Sequence, residues 1–142
     1  MKQLISILAL LLSCFIGQKL MADMPSLVHA TAEQFAQAQA SGYVIIDIRR
    51  EDEWLSTGII EGAQTITAFT ETGQLHSEFL DHFSKAVPSS ETPFFIYCRS
   101  GQRTGSLGTA LVTQLGYTKA THLSDGIISW LSNGFKTVPY TP

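Results

Sequence analysis

FFIYCRSGQRTGS, Phe94 to Ser106, is the stretch from which the fold can be read. FFIYC is a continuous apolar run closing on a cysteine, the pattern of a strand buried in a parallel sheet. Arg99, Gly101, Arg103 and Gly105 follow at once. Leu107, Ala110, Leu111 and Leu115 then recur at helical spacing as an inward face, and Gly116 stops that helix. A strand, a glycine-containing loop and a helix succeed one another within about twenty residues. Such a loop lies at the carboxyl end of its strand, where ligands gather in open α/β sheets.

The same alternation extends in both directions. Upstream, Thr31 is a plausible N-cap for a helix over Ala32 to Ala40, ended by Ser41-Gly42. YVIID (Tyr43 to Asp47) reads as a second buried strand, and Glu51 to Leu55 as one or two helical turns broken by Gly58. A short strand is expected around Gln64 to Ile66, and a surface loop over Thr67 to Gly73. The spacing of Leu75, Phe79, Leu80 and Phe83 predicts a helix around His76 to Lys85, and Pro88 to Thr92 is a connector. Downstream, ATHL (Ala120 to Leu123) reads as a strand. Gly126 to Asn133, with Ile127, Trp130 and Leu131, reads as a last helix with Gly134 beyond it. No internal repeat or low-complexity tract interrupts the pattern. The expectation is one α/β domain with a central, mainly parallel sheet flanked by helices on both faces.

The chain has 142 residues, of which 44% are hydrophobic, the size and composition of a single globular domain. Its first 22 residues stand apart. MKQLISILALLLSCFIGQKLMA has a charged start, an apolar middle and a small residue at its end, the form of a secretory signal cut after Ala22. An uncleaved anchor, or a lipoprotein signal cut before a lipidated Cys14, are the alternatives. The apolar run is well short of the roughly 20 residues that span a bilayer. The expectation is therefore a signal over 1–22 and a domain over 23–142, located in the periplasm or secreted, with no stable membrane association after cleavage. Loss of Lys2 and Lys19 with the signal leaves seven basic residues against 12 acidic ones, a net charge near −5. With no basic run, nothing points to nucleic acid as a partner. The mature chain keeps one cysteine, Cys98, and an odd cysteine in an exported protein reads as reactive or intermolecular. One cysteine and four scattered histidines do not make a zinc site, and neither a metal nor a cofactor is expected.

The chemistry expected of the loop follows from its composition. Backbone N–H groups turned toward Cys98, the positive end of the following helix, and the charges of Arg99 and Arg103 all favour thiolate over thiol. Cys98 is thus a candidate nucleophile, and the same cradle would hold an anion. Gly101 suits a position where a side chain would block the backbone. Ser100 and Gln102 would shape the pocket mouth, and Thr104 could cap the helix. Asp47, at the end of its own strand, could orient the loop by accepting its N–H groups, or serve only as a strand-end residue. Arg49 and Glu53, four apart, suggest a local ion pair, while Trp54 and Trp130 read as core or rim residues. The four histidines read as ordinary surface or core residues. A cysteine merely packed at a strand end is the competing reading of the loop. A cysteine phosphatase needs C-x5-R, whereas Cys98 to Arg103 is C-x4-R and Thr104 stands where the arginine would be. The smaller ring suits a sulfur anion better than a phosphate ester.

CRSGQR resembles the C-R-x-G-x-R loop of rhodanese-type sulfurtransferases. VIIDIRREDEW is similar to that family's strand followed by D-x-R and a glutamate before an aromatic residue. GIIEGAQTI is similar to its G-H-I-x-G-A-x-x-I stretch, and LSDGIISW to its closing L-x-G-G-x-x-x-W. The departures are Ile59 in place of the histidine and Asp125 in place of the first late glycine, where aspartate is expected to tolerate a left-handed turn. The resemblance implies that Cys98 takes the outer sulfur of thiosulfate or another small sulfur anion as a persulfide. Residues 99–103 would hold it, and Cys98 would pass it to a thiol or a protein acceptor. A sulfane-sulfur carrier or redox binding module working only with a dedicated partner is the alternative. Monomer is the default expectation.

Overall fold

The computed structural model describes residues 24–142; the segment read as a signal, with Cys14, lies outside them. Five strands form one sheet: β1 (Val28–Ala30), β2 (Val44–Asp47), β3 (Gln64–Thr65), β4 (Phe94–Tyr97) and β5 (Ala120–Leu123). Their order is β1-β5-β4-β2-β3, and every neighbouring pair is parallel. The helices are α1 (Ala32–Ala40), α2 (Glu51–Thr57), α3 (Phe79–Ala86), α4 (Gln102–Leu115) and α5 (Gly126–Ser132). The expected α/β architecture is present, with its sheet parallel throughout.

Alternation along β4 divides the core. Phe94, Ile96 and Cys98 face one side, where Phe79 and Phe83 of α3 and Leu107, Leu111 and Val112 of α4 cover them. Tyr97 faces the other, against Phe35 of α1 and Ile127 and Trp130 of α5. Helices therefore cover both faces. Burying one of these large side chains contributes about 1.5–3 kcal/mol, so most of the fold's stability lies in these two layers. Thr31 caps α1 as expected, in a reciprocal capping box with Gln34.

Three local expectations are corrected. No strand is expected at Val28–Ala30, because three residues with two exposed carry no readable period; pairing with β5 creates it. The helix expected from His76 begins at Phe79, because Leu75 instead forms an isolated antiparallel bridge with Phe69 inside the expected loop region. Leu115, assigned to the inward face of α4, is half exposed: the buried stripe ends at Val112, one turn before the helix does.

Candidate active site

The turn from Cys98 to Gly101 joins the carboxyl end of β4 to the first residue of α4. Gly101 has φ +86°, and a Cβ there would overlap the Ser124 carbonyl, so both conformation and space demand glycine. The start of α5 holds the loop from the other side. Ile127 N–H donates to the Cys98 carbonyl at 2.9 Å and Ile128 N–H to that of Arg99 at 3.2 Å. This close approach needs Gly126, which has φ +63° and whose Cβ would collide with those same carbonyls. Asp125 has φ −110°, so the left-handed turn anticipated for it belongs to Gly126 instead.

Cys98 is fully buried. Its Sγ accepts the Gly101 N–H at 3.2 Å and lies 3.5 Å from the Thr104 hydroxyl. Thr104, buried on the first turn of α4, also donates to the Gly101 carbonyl at 3.1 Å. It does not cap the helix; the N-cap is Gly101, with no side-chain bond. Among the described residues, the N–H groups of Arg99, Ser100, Gln102 and Arg103 have no protein acceptor, while only that of Gly101 reaches the sulfur. The loop is a row of largely unpaired donors beside a cysteine, which is an anion-binding geometry.

The arginines divide the work. Arg103 Nη1 and Nη2 donate to Glu53 Oε2 and Oε1 at 2.9 and 2.7 Å, a two-pronged pair between α4 and α2. Arg103 is thereby raised, chiefly by the Glu53 bond. Glu53 is pushed up by burial but lowered overall by the Arg103 bond, the Arg50 N–H and the nearby arginine charges. Arg49 does not pair with the Glu53 carboxylate, contrary to expectation. Asp47 takes it instead, with bonds of 2.9 and 3.1 Å to Nε and 2.7 Å to Nη2, both residues being buried. The remaining guanidinium protons go to the Thr57 hydroxyl and the Glu53 and Gly58 carbonyls, completing the set that a buried charge requires. Asp47 thus fixes α2 to the sheet, and its carboxylate donates no support to the loop N–H groups. Arg99 is exposed and in no ion pair among the described residues.

Two clefts flank the loop. One of about 360 Å³ is lined by Arg99 together with Glu53, Thr57, Ile127, Ile128 and Leu131. The other, of about 390 Å³, is lined by Gln102 and Arg103 with Arg50 and Phe69. Ser100 is exposed on the loop itself.

Pattern reading missed two histidines. His122 of β5 is buried, and its Nδ1 lies 3.1 Å from the Thr104 hydroxyl; its Nε2 lies 2.8 Å from Nδ1 of His29 on β1. Burial and the neighbouring His29 both lower His122 below the ordinary histidine value, so it is neutral near pH 7. They sit 93 residues apart, and only the β1–β5 register His29↔His122 unites them, so no spacing motif could have revealed them.

A parallel sheet with a cysteine loop at a strand end, closed by a glycine from a later helix, defines a class of α/β domains built around one cysteine. The Rhodanese-like domain model matches residues 31–133, and the chain belongs to that family. It is 28% identical over 83 residues to an uncharacterized protein of Rickettsia prowazekii, covering 58% of this chain and 67% of that one. Its fold is similar to that of the polysulfide-sulfur transferase homodimer of Wolinella succinogenes (TM-score 0.63, 15% identity, 91% of this chain and 90% of that chain). It is also similar to a thiosulfate sulfurtransferase of Pseudomonas aeruginosa (TM-score 0.62, 20% identity, 81% and 21%). A rhodanese-related protein of Thermoplasma volcanium is a further neighbour (TM-score 0.61, 18% identity, 80% and 99%).

Proposed function

We propose that the protein is an exported sulfurtransferase that carries sulfane sulfur on Cys98. The observation that supports this most directly is the Gly101 N–H on the Cys98 sulfur, beside loop N–H groups with no protein acceptor among the described residues. The Cys98 thiolate attacks the outer sulfur of thiosulfate or a similar sulfur anion. The donor's S–S bond breaks, sulfite leaves with its electron pair, and a new S–S bond makes the Cys98 persulfide. The N–H groups of Arg99, Ser100, Gln102 and Arg103 stabilise the terminal sulfur's charge, while that of Gly101 stays on Sγ. An acceptor thiolate then attacks that sulfur and returns Cys98 as thiolate. Arg99 is the cation available to an incoming anion, since Arg103 is held by Glu53. Phosphatase chemistry is disfavoured: Arg103 turns to Glu53 rather than over the loop, and Thr104 occupies the position of the required arginine.

The full burial of Cys98 supports a second reading, a carrier that opens only to a dedicated partner. Steady-state sulfite release from thiosulfate with cyanide as acceptor separates the two. Turnover lost in Cys98→Ser establishes the transferase. No turnover, with a persulfide on Cys98 seen by mass spectrometry, establishes the carrier. Turnover surviving in Cys98→Ser, or no persulfide at all, overturns both.

A further inference from the structure

We propose that His122, oriented by His29, is a positioning residue for the Cys98 nucleophile, acting by turning the Thr104 hydroxyl proton toward the sulfur. The inference rests on the reading of Cys98 as nucleophile and adds two residues to its machinery.

The argument is a count of protons. Three atoms surround Thr104 Oγ1: the Gly101 carbonyl at 3.1 Å, His122 Nδ1 at 3.1 Å and Cys98 Sγ at 3.5 Å. The carbonyl accepts only, and a thiolate accepts only, while Thr104 has one proton to give. If His122 also accepted at Nδ1, three acceptors would compete for that proton. A neutral imidazole carries one N–H, so Nδ1 can donate to Thr104 only when Nε2 is an acceptor. His29 Nδ1 lies 2.8 Å from His122 Nε2, and the His29 tautomer protonated at Nδ1 meets that condition by donating to it. The hydroxyl proton is then free to leave the Gly101 carbonyl for the sulfur when Cys98 ionises. In the thiol form the S–H donates to Oγ1 and the hydroxyl proton returns to the carbonyl. His29 is exposed, so the chain of donors runs from solvent to a fully buried sulfur. Linked hydrogen bonds of this kind polarise one another at low dielectric.

The charged groups around the chain are few. Asp125, ahead of α5, acts on His122, and the Arg103–Glu53 pair stands on the first turn of α4. The Asp47–Arg49 pair ends the neighbouring strand. Among the described residues none of these makes a hydrogen bond to Thr104 or to either histidine, so altering His29 leaves them in place.

The test is the ultraviolet absorbance of the thiolate as a function of pH, read as the difference from the Cys98→Ser protein. In His29→Ala and His122→Asn the ionisation midpoint should move upward, with about fivefold less thiolate below the midpoint, the effect of one net hydrogen bond. His122→Asn keeps a polar partner for Thr104 but cannot reach His29. Imidazole added to the buffer should restore the profile of His29→Ala but not that of His122→Phe. Profiles that superimpose on wild type, or a shifted His29→Ala profile that imidazole leaves unchanged, overturn the proposal while the sulfurtransferase reading stands. A wild-type Cys98 that ionises like an ordinary thiol overturns both.

Discussion

Arg103 and Glu53 grip each other with both nitrogens and both oxygens, at 2.9 and 2.7 Å, and thereby tie the first turn of the helix after the cysteine loop to α2. Arg103 keeps 27% and Glu53 16% of its side-chain surface in solvent, so solvent screening reduces the bond's value. Glu53→Gln should therefore lower unfolding stability by about 1–2 kcal/mol, toward the low end for charged hydrogen bonds, measured by urea denaturation at pH 7. Burial raises the Glu53 carboxyl but the bond to Arg103 and its charge lower it overall. A carboxyl lowered on folding stabilises fully above its unfolded value of 4.5, and that stabilisation is lost as pH falls through the lower folded value. The wild-type and variant stabilities should converge as pH falls below 4.5; a constant gap would contradict the pair's role.

Gly101→Ala tests the loop backbone. Its φ of +86° places any side chain in the left-handed region, and its Cβ would meet the Ser124 carbonyl. Strain at such a position costs about 1–3 kcal/mol before the steric conflict is added. The variant should lose at least about 2 kcal/mol of stability and lose thiolate formation at Cys98 together. Wild-type thiolate absorbance in Gly101→Ala would show that the loop tolerates a rearrangement.

The main strands and the five helices of the described residues were legible because they carry a local period. FFIYC and YVIID are continuous buried runs, and Phe79 with Phe83 and Leu107 with Leu111 recur at helical spacing. The position of the cysteine loop was legible because Cys98 to Arg103 is contiguous in sequence, between a strand and a helix. What escaped reading depends on register between distant strands. β1 exists only through β5, and the His29–His122 pair only through that pairing. Charge partners escaped as well, since Arg49 pairs with Asp47 and Glu53 with Arg103, while the i,i+4 rule joins Arg49 to Glu53. Leu111→Ala, at a nearly fully buried position, should cost about 2–5 kcal/mol. Leu115→Ala, at a half-exposed one, should stay within about 0.5 kcal/mol of wild type. Equal losses in urea melts would return Leu115 to the core.

His122 makes stability depend on pH with the opposite group type but the same sign. Burial first, and His29 second, lower its folded value below 6.5, so the unfolded chain takes up a proton that the folded one refuses. Its contribution is complete above pH 6.5 and shrinks as pH falls from there toward the lower folded value. Urea midpoints of wild type should decline over that window. His122→Phe should start lower, having lost the Thr104 bond, and stay flatter through it. An equal slope in the variant would assign the decline to another group.

Arg99 is the arginine of the cysteine loop that stands in no ion pair among the described residues. It lines the 360 Å³ cleft beside the loop, whereas Arg103 is committed to Glu53. An exposed cation attracts a divalent anion over a range set by salt, about 8–10 Å at moderate ionic strength, and acts mainly before the chemical step. Arg99→Gln should therefore raise KM for thiosulfate about tenfold, equivalent to about 1.4 kcal/mol, while kcat changes less. The wild-type KM should rise with added salt, and the variant's should respond more weakly. Arg103→Gln should behave differently, leaving Glu53 without its partner and lowering stability and kcat together. If instead Arg103→Gln raises KM alone and Arg99→Gln does nothing, the anion is held in the 390 Å³ cleft that Arg103 lines.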